Sequence, residues 1–132
     1  MGELLNGSRS ANSRGVKIPG LWLVDSSGAI KIFQEDILYC HHERDVTNIY
    51  FTCGRYTTTT VPLKRIEGRL CRKRFFRCHR NYIINLTYAS EASNIDNTLS
   101  LFKRVSVPVS RRKKPQLLTM LESNSGDQNR SA

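Results

Sequence analysis

Apolar positions along this chain come in short alternating bursts rather than long runs. LWLV (residues 21–24) and IKIF (residues 30–33) flank the turn signal Ser26-Ser27-Gly28, a spacing that predicts a hairpin. Residues 37–40 and 48–52 are expected to be two further strands, joined by a polar loop over 41–47. Cys53-Gly54-Arg55 then turns into residues 56–61, whose threonine run is β-branched and favours extended backbone. The period changes in PLKRIEGRL. There Leu63, Ile66 and Leu70 recur at i, i+3 and i+7, which predicts a short helix opened by Pro62 and weakened at its end by Gly68. After the basic link 71–74, strands are expected at 75–78 and 82–85, at 88–93 and 98–102 around a turn at 94–97, and at 106–109. Ser110 would make a good N-cap, but Pro115 five residues later would remove a donor and clash with the preceding turn. Residues 110–114 are therefore expected to form a separate basic turn, with a helix starting near Pro115 and presenting Leu117, Leu118 and Leu121 on one face.

The fold class this predicts is mostly β, with one or two short helices. The 132 residues suffice for one domain with a modest core. Residues 1–19 and 122–132 are rich in small polar residues without an apolar period and are expected to be flexible tails around a domain at 20–121. No apolar run approaches the roughly 20 residues needed to span a bilayer, and the first residues lack a signal-peptide centre, so no membrane insertion and a cytoplasmic location are expected.

Charge sharpens the picture through its placement. Residues 55–114 hold 15 of the 21 Lys and Arg against three acids, net +12, and with the whole chain at +10 the remainder stands at −2. A one-sided positive field of this kind attracts a polyanion, nucleic acid before an anionic membrane surface. The cysteines at 40, 53, 71 and 78 form no CxxC pair and are expected to be reduced thiols rather than a disulfide framework or a zinc site. No nucleophile–base constellation or phosphate-cradling glycine loop is present, so an enzyme, a cofactor or a metal is not expected.

One stretch, RFFRCHRNYIIN (residues 74–85), interrupts apolar pairs with a cationic knot. Together with Glu35-Asp36-Ile37-Leu38-Tyr39 upstream and VPVSRR (residues 107–112) downstream, it resembles the LytTR domain, the DNA-binding output module of LytR/AlgR-type bacterial response regulators. The resemblance covers roughly residues 20–121. It implies an elongated body of small successive antiparallel sheets with short helices. It also implies loops inserted into neighbouring major grooves of double-stranded DNA, with bending of the duplex, at direct-repeat sites that take a second copy of the chain. A separate sensor or receiver protein would supply the input.

The resemblance places Arg80 in a loop that approaches DNA, with Asn81 where serine is commoner and with Arg77 and His79 beside it. His79 could equally cap a backbone group at a strand end. Arg111 and Arg112 are expected to read bases, since a guanidinium fork matches guanine O6 and N7. The Ser110 hydroxyl and the turn amides would hold a phosphate oxygen, and Lys113 and Lys114 would attract the backbone without reading sequence. Thr47 and Asn48 are the expected contacts of a second loop, although Glu43 and Asp45 beside them repel phosphate. Arg72, Lys73 and Arg74 are expected to be further backbone contacts. The competing reading is an RNA-binding β module of ribosomal-protein type, which would need Tyr50, Phe51, Tyr56 and Tyr82 exposed on a sheet face for stacking.

Overall fold

The computed structural model describes residues 20–25, 28–93 and 95–129. Among them, ten strands form three antiparallel sheets accompanied by two helices. The expected hairpin is present: β1 (Gly20–Asp25) pairs with β2 (Gly28–Phe33) along its whole length. Gly28 begins β2 at φ +135, a backbone conformation that side chains with a Cβ rarely adopt. Leu21, Leu23 and Ile32 point inward from this ribbon, while Trp22 and Val24 stay exposed on its outer face.

β3 (Ile37–Glu43), β4 (Val46–Phe51), β5 (Tyr56–Thr59), β6 (Phe75–His79) and β7 (Tyr82–Asn85) build a sheet of order β5-β4-β3-β7-β6. The helix α1 (Leu63–Arg69) crosses between β5 and β6 and buries Leu63 and Ile66. A third sheet, order β10-β9-β8, is made by β8 (Ala89–Ser93), β9 (Thr98–Leu101) and β10 (Val105–Pro108). Pro108, which has no amide hydrogen to give to a ladder, lies on the edge strand of that sheet. The helix α2 (Lys114–Asn129) closes the chain.

Two apolar cores flank the five-stranded sheet. The first gathers Leu21, Ile32, Ile37, Ile49, Ile66 and Ile83 under α1 and the β1–β2 ribbon. The second gathers Leu38, Phe76, Ile84, Leu101, Val107 and Leu117 between the sheet, the three-stranded sheet and α2. Adjacent residues of a strand face opposite sides. Each consecutive apolar pair, Ile37-Leu38, Phe75-Phe76 and Ile83-Ile84, therefore feeds both cores. That accounts for the doubled apolar residues around the cationic knot: β6 and β7 are buried on both faces.

Two expectations about element bounds are corrected. Residues 41–47 are not a long polar loop. β3 and β4 run through them and leave only Arg44-Asp45 as the turn, because His41↔Asn48, His42↔Thr47 and Glu43↔Val46 continue the ladder. The last helix begins at Lys114 with Pro115 in its first turn, as the proline demands, but it continues to Asn129, into the segment expected to be a tail. Residues 1–19, also expected to be a tail, lie outside the described residues.

Candidate nucleic-acid interface

Register places the basic connections. β3 ends, β7 begins, and β4 begins at one end of the five-stranded sheet, where Glu43 faces Val46 and His41 faces both Asn48 and Tyr82. The Arg44-Asp45 turn and the Arg80-Asn81 turn thus lie side by side, and the His42 amide donates to the Asn81 carbonyl at 2.9 Å. On the other flank the Ser110 amide donates to the Cys78 carbonyl at 2.9 Å, which docks the basic turn 110–113 against β6 just before the Arg80 turn. Three connections from distant parts of the sequence are joined by these two backbone hydrogen bonds.

The ladder between β6 and β7 shifts register between Phe76 and His79, where Arg77 and Cys78 of β6 oppose the single residue Ile83 of β7. This bulge carries Arg77 out of the core alternation. The Arg77 guanidinium donates through Nη1 to Glu67 Oε1 at 2.7 Å and through Nη2 to the Arg80 carbonyl at 2.6 Å. Arg77 is therefore tethered inside the protein, holding the turn whose own side chain, Arg80, stays exposed. His79 realises the capping role. Its Nδ1 accepts from the Asn81 amide at 3.1 Å, and its ring meets Tyr82 edge-on at 5.6 Å. Asn81 is half-buried and contributes through its backbone to both neighbours.

Ser110 holds the second basic connection. Its carbonyl accepts from the amides of Lys113 and Lys114 at 3.0 and 3.1 Å, and its hydroxyl accepts from the Lys113 amide at 3.3 Å. The hydroxyl thus caps the turn as an acceptor, and its own O–H is not used by this contact. Arg111 and Arg112 project from this turn and are exposed. Lys113 rests over the Phe76 ring at 5.7 Å. Lys114 is drawn away from solvent: its ammonium donates to Asn97 Oδ1 at 3.0 Å and to the Ser93 carbonyl at 3.4 Å, fastening α2 to the β8–β9 connection.

The third connection departs furthest from expectation. Thr47 is fully buried, and its hydroxyl donates to the Val61 carbonyl at 3.1 Å, so the side chain is not presented to a ligand. Asn48 is half-buried, with Oδ1 accepting from the Thr58 hydroxyl at 2.7 Å. The exposed tip is Arg44, in the left-handed region at φ 58, a residue missing from the expected contacts. The signal was present in VTNIYF: a period of two puts Thr47 on the face of Ile49 and Phe51, which are buried. Arg72 and Lys73 are exposed and Arg74 half-buried, but they precede Phe75 and so sit at the opposite end of β6 from Arg80.

Burial pushes the thiols of Cys40 and Cys78 up to about 12, and all four cysteines are free. Burial, reinforced by Tyr50 and Tyr82, raises the Tyr39 hydroxyl to about 12. Burial also lowers the proton affinity of His41, against the pull of Glu43 and with the help of His42 and His79. Of the four aromatic residues that an RNA platform would expose, three are stacked or buried, while Tyr56 stays 59% exposed with its ring tilted against Tyr50 at 5.2 Å. Tyr39 and Tyr50 stack at 4.5 Å, His41 covers Tyr82 at 4.2 Å, and Phe51 is in the first core. An RNA-binding module is not favoured.

Residues 27–122 match the family model described as the LytTr DNA-binding domain. The chain belongs to the LytTr DNA-binding domain family. Among curated proteins it is 31% identical over 99 residues to the heme-containing CO-sensing transcriptional regulator RcoM 2 of Paraburkholderia xenovorans (strain LB400), covering 72% of this chain and 37% of that one. It is 29% identical over 119 residues to RcoM 1 of the same strain, covering 87% and 43%. The chain thus spans about two fifths of the length of these relatives. Among solved structures, a LytTr DNA-binding domain from Bacillus cereus superposes with a TM-score of 0.65 at 23% identity, over 77% of this chain and 95% of that one, and shows the same fold.

Proposed function

We propose that this LytTr domain regulates bacterial transcription by sequence-specific contact with double-stranded DNA through the three connections at one end of its central sheet. The observation that carries the reading is the pair of backbone hydrogen bonds, His42 to Asn81 and Ser110 to Cys78, which hold the Arg44, Arg80 and Arg111–Arg112 segments together. Arg111 and Arg112 enter a major groove, where an Arg fork to guanine is the commonest specific contact. The Arg44 hairpin reaches towards a second groove, and Arg80 meets the phosphates between them. Because Arg77 and His79 already hold the Arg80 turn, little conformational entropy remains to be lost on binding.

Engaging two grooves with a rigid body favours bending of the duplex, and a site of direct repeats would seat a second copy. The input comes from a separate sensor or receiver, and the domain works in the cytoplasm, in keeping with the lack, among the described residues, of a helix long and apolar enough to cross a membrane. Arg72, Lys73 and Arg74 add long-range attraction rather than contact, given their position at the far end of β6.

Enrichment of genomic fragments by the purified protein tests this. The expected result is a short motif, repeated at a spacing near one or two helical turns of about 10 base pairs. Enrichment without any shared motif would remove sequence-specific reading and leave only electrostatic attraction.

A further inference from the structure

A cleft of about 230 Å³ lies between α1, β6 and α2. Its apolar walls include Leu70, Phe76 and Met120, and its polar rim holds Arg72, Arg77 and Lys113. The one acid on the rim, Glu67, is already engaged by Arg77 Nη1 at 2.7 Å. Two cations thus remain without an acid opposite them in the cleft. Arg77 adds a second observation: its Nε is buried and has no hydrogen-bond partner, while both of its terminal nitrogens are committed to Glu67 and to the Arg80 carbonyl. Buried donors without partners are rare in folded proteins, and this one, closed to solvent, would meet an anionic oxygen after a small shift of the Arg77 side chain that lines the cleft.

We propose that this cleft is a binding site for a small carboxylate with a flat apolar body, of the aromatic-acid class. The carboxylate would accept from Arg77 and pair with Arg72 and Lys113, and the body would lie against Phe76 and Met120. The volume admits a single ring with a short substituent. A bare inorganic anion would leave the apolar walls unfilled, and a neutral ring would leave the cations unpaired. Arg77 also holds the Arg80 turn, and Lys113 belongs to the turn that presents Arg111 and Arg112. An occupant would therefore act as an effector, lowering duplex affinity, a consequence that rests on the DNA reading above.

The test is an amide-resolved NMR titration of the full chain, without DNA, using benzoate as the probe and benzamide and inorganic phosphate as comparisons. Benzoate is expected to shift signals of α1, β6 and α2 saturably in the millimolar range usual for so small a ligand. Benzamide and phosphate should each bind at least about tenfold more weakly, as should benzoate with an Arg72→Gln/Lys113→Gln protein or with Met120→Trp, whose indole fills the cleft. The same spectra report whether each variant is folded, and the double charge variant changes only rim residues if Met120→Trp disturbs packing. Shifts that never saturate, that fall outside these three elements, or that persist in the folded charge variant overturn the site. Duplex affinity measured with and without benzoate then separates the two claims: saturable binding with unchanged duplex affinity overturns the effector role, and a protein that binds benzoate but no duplex overturns the DNA reading alone.

Discussion

Arg77 and Arg80 stand three positions apart and do unlike work. Arg77, fixed by Glu67 and the Arg80 carbonyl, shapes a turn, while Arg80, exposed on that turn, is free to meet a ligand. Nothing in the letters RCHR separates the two roles. The bulge in β6 does, and a bulge is a property of paired strands. Thr47 is the contrary case, since the alternation of its own strand already assigned it to the buried face. At this scale the sharpest prediction concerns Arg112. Arg112→Ala should weaken binding to the enriched motif by about 1–3 kcal/mol and flatten discrimination among its base variants. An equal loss on random and cognate duplex, measured by fluorescence anisotropy, would assign the guanidinium to phosphate instead.

Elements were legible where the period of apolar residues is set by a single face. α1 and the β1–β2 hairpin emerged where the pattern placed them, because one side of each packs on a core and the other meets water. Within α1, Gly68 is exposed, and a Cβ added there would meet nothing within 4 Å. Gly68→Ala should therefore raise stability by about 0.5–1 kcal/mol through helix propensity, read as a higher urea midpoint with unchanged slope. α2 depends on the second core through Leu117, which is 1% exposed. Leu117→Ala is expected to cost about 2–5 kcal/mol, and chemical denaturation that shows less than about 1 kcal/mol would mean that α2 contributes little to that core. The length of α2 was not legible, since its outer half carries the small polar residues of a tail, SNSG.

The whole molecule is governed by where its charge and its buried thiols sit. If about six phosphates are neutralised on binding, log affinity should fall against log salt with a slope near −5, and a nearly flat plot would remove electrostatics from the account. Stability has its own pH signature. Cys40 and Cys78 ionise at 9.0 when exposed by unfolding but only at about 12 in the folded protein. Above pH 9 the unfolded chain gives up protons that the folded chain keeps, so stability present below pH 9 is lost as pH rises towards 12. The loss should approach about 1.4 kcal/mol per pH unit for each thiol, and Cys40→Ala with Cys78→Ala should flatten the profile in pH-dependent urea melts.

By itself the sequence determined the β class, the two helices, the segregation of positive charge and the motif RFFRCHRNYIIN, because propensity, periodicity and composition act over neighbouring residues. Tertiary structure alone decided which cations are presented. Register aligned the turns at 44, 80 and 111–112 at one end of a sheet, turned Arg77 and Lys114 into internal fastenings, and carried Arg72 and Lys73 to the far end. The physical reason is that a cation's availability depends on which carbonyls and carboxylates lie within about 3 Å of it, and those partners are 3 to 21 residues away in sequence.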